Sequence, residues 1–122
     1  MTETKAEIVE ALQEEYKTPP SLINAGLCEQ FAKDLKAKFD GQYSETATIL
    51  TTADIIDPSK TPTSHLDSYP THYFVRCGTQ CYDAECPEGV ENVLHLPFFD
   101  RIEHLINPAH LQSDGPVVYV DD

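Results

Sequence analysis

The sequence has no apolar run approaching the ~20 residues that a membrane-spanning helix needs. Its first residues, Met1-Thr2-Glu3-Thr4-Lys5, are polar and lack the basic and apolar regions of a signal peptide. The expectation is a soluble cytoplasmic protein with no membrane partner. Basic residues are scarce: 8 Lys and Arg stand against 21 Asp and Glu, a formal net charge of -13. Such a chain is repelled by bare nucleic acid and by anionic membrane, so no nucleic-acid partner is expected. The acidic residues are spread along the chain rather than gathered in a block, which favours solubility over nucleic-acid mimicry as their purpose. Cysteines are few, and no two form a C-x-x-C pair. Cys28 stands alone, and Cys77, Cys81 and Cys86 follow C-x3-C and C-x4-C spacings that suit zinc poorly. Neither a metal nor an organic cofactor is expected. Without an export signal a disulfide framework is not expected either, although Cys77 and Cys81 flank a tight turn and are candidates for one bridge under oxidation. No internal repeat and no low-complexity segment is present.

What is present fits one globular domain over residues 1–122, with 40% hydrophobic residues. A chain of this length can bury roughly two-thirds of its unfolded surface, so a true core is possible. Residues 4–17 read as an amphipathic helix, with Ile8, Val9, Leu12 and Tyr16 at helical spacing and Thr4 and Glu7 as a capping box. Pro19-Pro20 ends it. Residues 21–26 read as an approach loop, and a second helix runs from about Leu27 to Phe39. Leu27, Phe31, Leu35 and Phe39 form its apolar stripe, and Gly41 is its expected C-terminal cap. Residues 46–56 are rich in β-branched residues and predict a strand with a bend. Residues 57–70 hold three prolines and predict a loop. Thr71 to Cys77 and Gln80 to Glu85 predict a hairpin turning at Gly78-Thr79, with Pro87-Glu88-Gly89 ending the second strand. A short helix after Pro97 and a last strand over Pro116 to Val120 complete the pattern.

Three residues stand where thiol chemistry needs them. A cysteine attacks as its thiolate, and an unperturbed thiol, with a pKa near 8.5, needs help at neutral pH. Cys28 lies in the first turn of the second helix, where unpaired N–H groups favour an anion. The Cys28 amide can also hold a developing oxyanion, and Asn24 is a further side-chain donor. His72 begins the first hairpin strand and is the candidate general base. A two-residue turn at Gly78-Thr79 pairs position i with 157 − i. That register puts Asp83 diagonal to His72 on one face and Glu85 directly opposite it. Either acid can accept the second ring N–H and orient the imidazole, Asp83 being favoured and Glu85 the alternative.

Gly26-Leu27-Cys28-Glu29-Gln30-Phe31-Ala32 resembles the G-x-C-x-x-[FY]-A helix start of the papain-like and transglutaminase-like superfamily. His72-Tyr73-Phe74-Val75 and Gln80-Cys81-Tyr82-Asp83-Ala84 are similar to its histidine strand and its aromatic-Asp strand. The resemblance spans about residues 22–86. It implies an α+β fold in which N-terminal helices pack on a small antiparallel sheet. It also implies hydrolysis or transfer at an amide, isopeptide or ester bond, with a peptide, protein or amide/ester substrate as partner. Cys28 would be the nucleophile, His72 the base and then acid, and Asp83 the orienting residue. The glutamine that many papain-like enzymes place before the cysteine is missing from Pro19-Pro20-Ser21-Leu22-Ile23. That gap, the small size and the acidic charge motivate a second expectation: a non-catalytic acidic binding or inhibitor protein on the same fold.

Overall fold

The computed structural model describes residues 4–44, 46–66 and 69–111. Helices and one four-stranded antiparallel sheet make an α+β architecture. Helix α1 spans Lys5–Tyr16. Thr4 Oγ1 accepts from the Glu7 N–H at 3.1 Å and Glu7 Oε1 accepts from the Thr4 N–H at 3.0 Å, so the capping box forms. Ile8, Val9 and Leu12 are its buried face.

Residues 21–26 are not a loop. Helix α2 spans Pro20–Gly26. Proline at the first helical position brings a preset φ and needs no N–H partner there, and Ile23 is fully buried. Leu27, with φ -119° and ψ 13°, breaks α2 from α3, which spans Cys28–Gln42. Leu27 N–H still bonds the Ile23 carbonyl, and the next ladder bond is Phe31 N–H to the Leu27 carbonyl at 2.9 Å. The N–H groups of Cys28, Glu29 and Gln30 therefore lie at a true helix start. Phe31, Ala32, Leu35 and Phe39 are buried, whereas Leu27 is 38% exposed. The helix runs through Gly41 and ends at Tyr43, whose ring meets Phe39 edge-on at 6.1 Å.

The strands are β1 (Ala47–Thr51), β2 (Tyr73–Cys77), β3 (Gln80–Asp83) and β4 (Cys86–Val90), in the order β1-β2-β3-β4. The strand expected over 46–56 stops early because Thr51 and Asp54 cap a short helix, α4 (Thr52–Ile55). The 57–70 segment contains one helical turn, α5 (Thr63–Leu66). The hairpin register is Cys77↔Gln80, Arg76↔Cys81 and Val75↔Tyr82, turning at Gly78 with φ 65°. Pro87-Glu88-Gly89, expected to end the second hairpin strand, instead lie inside a further strand, β4, while β3 ends earlier, at Asp83. Proline lacks a ladder donor, but β4 is an edge strand, where this is tolerated. Gly89 has φ 78°, and a Cβ there would sit 2.6 Å from the Tyr82 ring.

Two layers of core enclose the sheet. On one face α1 and α3 pack on Ala47, Val75, Cys77, Tyr82 and Ala84. On the other, Leu50, Phe74, Cys81 and Cys86 meet Ile55, Val93, Leu96 and Phe99. Helix α6 (Pro97–Arg101) supplies Phe99 to that second layer, entered by a 3-10 turn at Val93–His95. The strand expected over Pro116 to Val120 lies outside the described residues. Among the described residues, no helix is long and apolar enough to cross a membrane.

Candidate active site

His72 sits one residue before β2, held at both backbone polar groups. Its N–H donates to Thr52 Oγ1 at 2.9 Å, and its carbonyl accepts from the Thr52 N–H at 3.1 Å. Thr52 Oγ1 in turn donates to the Pro70 carbonyl at 2.8 Å. The imidazole enters the second core layer. It stacks on Phe98 with ring centres 4.1 Å apart and meets Phe99 edge-on at 5.8 Å. His72 has no exposed surface.

Its Nε2 lies 2.9 Å from Asp83 Oδ2, and Asp83 is itself buried. A carboxylate only accepts, so Nε2 carries the proton. The other carboxylate oxygen, Oδ1, accepts from the Glu85 N–H at 2.9 Å. Both oxygens of Asp83 are thus engaged, and the imidazole is fixed in orientation and tautomer. His72 Nδ1 is buried and has no hydrogen-bond partner among the described residues. An unpartnered buried polar nitrogen costs about 1–3 kcal/mol.

Cys28 is half-buried at the start of α3, a free thiol. The structure brings His72 and Asp83 together but does not join Cys28 to them by a hydrogen bond. The body of α3 packs on the sheet face opposite the His72 ring. What links the two regions is Glu85. Asn24, one helical turn before Cys28 and buried, donates from Nδ2 to Glu85 Oε1 at 2.9 Å. Arg101 of α6 grips the same carboxylate with Nη1 on Oε2 at 2.8 Å and Nη2 on Oε1 at 2.7 Å. The Arg101 guanidinium, and after it the Asn24 amide, hold the Glu85 carboxyl below the usual glutamate range against the opposing effect of burial.

Of the two candidate orienting acids, Asp83 is the one at hydrogen-bond distance from His72. Glu85 leaves the strand pairing in the turn between β3 and β4 and faces Asn24 and Arg101 instead. Asn24, the further candidate oxyanion donor, gives one amide N–H to Glu85. Neither Arg101 nor Phe98 is marked as a site residue by the sequence. Their only sequence signal was membership of a short apolar helix, and nothing in its spacing says which side chain covers His72.

An open groove of about 600 Å³ runs between α1 and α3, lined by Leu12, Tyr16, Leu27, Gln30 and Asp34 among others. It reaches the residue before Cys28. Tyr16 donates to Asp34 Oδ2 at 2.6 Å along it. Cys77, Cys81 and Cys86 are buried and form no disulfide, and burial pushes the Cys81 thiol up to about 11. Among the described residues no cluster of three or more His, Cys, Asp or Glu side chains is placed to hold a metal. Comparison with protein-family models, curated proteins and solved structures finds no match for this chain.

Proposed function

We propose that the protein is a small thiol hydrolase or acyltransferase of papain-like or transglutaminase-like type, acting on an amide, isopeptide or ester carbonyl. The observation that carries the reading is the His72 ring. One nitrogen is oriented by a buried carboxylate at 2.9 Å, and the other is left without a partner. That is the condition of a general base awaiting its nucleophile. In the proposed cycle Nδ1 takes the Cys28 proton and the thiolate adds to the carbonyl. The N–H groups at the start of α3 hold the oxyanion, and the imidazolium then protonates the leaving group. Water or an amine resolves the thioester. Catalytic hydrogen bonds are often unformed before substrate binds. The cycle requires Cys28 and His72 to close on each other around the Asn24–Glu85 end of the sheet, with Phe98 yielding its place on the ring. The α1–α3 groove, ending beside Cys28, offers the surface for the acyl group's chain.

The test is a panel of activated ester and amide donors followed by intact mass. The expected result is an acyl adduct on Cys28 that is absent in Cys28→Ala and reduced in His72→Ala. Equal turnover of a found substrate by wild type and both variants would remove the triad from the account.

A second reading rests on a different observation. His72 has no exposed surface, and the Cys28 thiol has no hydrogen bond to it. As a non-catalytic acidic module, the protein would use the pair for structure and its net charge of -13 for a basic partner. That reading expects no adduct and a partner affinity that falls with salt.

A further inference from the structure

Resting on the thiol reading above, we infer that Glu85 is a positioning residue of the site, holding the arm that carries Cys28 and the helix that covers His72 in the closed resting arrangement from which Phe98 must withdraw. Three elements converge on it. Asn24 lies one turn before Cys28, and its buried amide spends an N–H on Glu85 Oε1 at 2.9 Å. Arg101 closes on both carboxylate oxygens at 2.7 and 2.8 Å. The backbone N–H of Glu85 donates to the Asp83 oxygen that His72 does not use, at 2.9 Å.

The geometry makes this more than an ion pair at the surface. Arg101 follows Phe98 by three residues on α6, so the two side chains lie near one face of that helix. Pinning Arg101 therefore sets where Phe98 rests on the His72 ring, 4.1 Å away. A bidentate guanidinium–carboxylate pair is directional and suits that task better than a single contact. Asn24 acts on the opposite side. Its bond to Glu85 anchors the end of α2, from which Leu27 turns the chain into α3 and Cys28. Asp83 is the third tie, because the Glu85 N–H fixes the rotation of its carboxylate and so the aim of the oxygen facing Nε2. Glu85 touches no reacting atom. It acts through Asn24, Arg101 and Asp83.

The test uses the full chain and compares Glu85→Ala, Glu85→Gln and Arg101→Lys with Ile8→Val, a mild core variant remote from the site. The first readout is the solvent exchange of the His72 Nε2–H proton, followed by NMR. A positioning role predicts about tenfold faster exchange in Glu85→Ala, as the cover over His72 opens locally. It predicts a smaller acceleration in Glu85→Gln, which keeps one acceptor oxygen, and in Arg101→Lys, which keeps a cation but loses the bidentate grip. Ile8→Val should leave that proton unchanged. Should Glu85→Ala fail to fold, Glu85→Gln carries the comparison. Exchange in Glu85→Gln and Glu85→Ala no faster than in Ile8→Val would overturn the inference. The second readout is the alkylation rate of Cys28. An unreactive Cys28 in wild type, with faster His72 exchange in the Glu85 variants, would sink the thiol reading while supporting Glu85 as the residue that positions the pair.

Discussion

Replacing Asp83 separates the two jobs that its carboxylate performs. In Asp83→Ala, His72 Nε2 and the Glu85 N–H both lose their acceptor, each bond being 2.9 Å long. Both donors are left in or beside the core, since His72 has no exposed surface and Asp83 itself is 3% exposed. With the ring proton on Nε2, the loss is that of one acceptor shared by two donors, and each buried donor left unsatisfied costs about 1–3 kcal/mol, so about 3 kcal/mol in all is expected. Against a total of about 5–15 kcal/mol for a domain, that is a large share. Asp83→Asn behaves differently. Its carbonyl oxygen can still serve the Glu85 N–H, while its amide N–H faces Nε2 and forces the ring proton to Nδ1. That variant should lose only about 1–2 kcal/mol, near one ordinary hydrogen bond. It should nonetheless abolish reactivity at Cys28, since Nδ1 no longer has a lone pair to offer. Urea unfolding gives the stabilities, and site-resolved alkylation gives the reactivity. A cost below about 1 kcal/mol for Asp83→Ala, or an Asn variant as unstable as the Ala variant, would refute this energetic reasoning.

Three further outcomes follow from contacts around the site. Thr52→Val removes the acceptor for the His72 N–H and the donor to the Pro70 carbonyl, and should cost about 1–3 kcal/mol in urea unfolding; no loss would mean that Thr52 does not seat His72. Gly89→Ala places a Cβ 2.6 Å from Tyr82 Cε2 at φ 78°, so it should lower stability by about 1–3 kcal/mol and disturb β4 first, read by amide exchange; an unchanged β4 would contradict the close approach. Glu85 has its pKa lowered, chiefly by Arg101, so its contribution is present above the ordinary glutamate range near ~4.3 and is lost as pH falls through the folded value. The stability gap between wild type and Arg101→Ala should therefore narrow as the pH of urea unfolding is taken below ~4; a gap independent of pH would argue against the pair.

The hairpin was legible because a two-residue turn and strict alternation leave one register, and that register carries His72 to Asp83 along a diagonal. Helix α1 was legible from its capping box and apolar spacing. Helix α2 was not, since Ile23 is its one fully buried apolar anchor and the prolines before it read as a stop. Strand β4 was hidden for a similar reason. Pro87 and Gly89 look like breakers, yet an edge strand needs no ladder donor from the one, and the other fits under Tyr82. At the site, Glu85 stood opposite His72 in an ideal ladder, but the turn after Asp83 takes it out of register. Arg101 then reaches it across 16 residues of chain, a pairing set by tertiary packing and by no local pattern. The rotation of α6 that lays Phe98 on His72 has the same origin.

An activated Cys28 thiol served by His72 would show in the alkylation rate of each cysteine against pH on the folded protein, resolved by mass spectrometry. With the proposed pair in place, Cys28 reacts fastest, still reacts near about pH 6, and slows in His72→Ala, with buried Cys81 trailing. A Cys28 that is protected, or that reacts only above about pH 8.5 with or without His72, would contradict it.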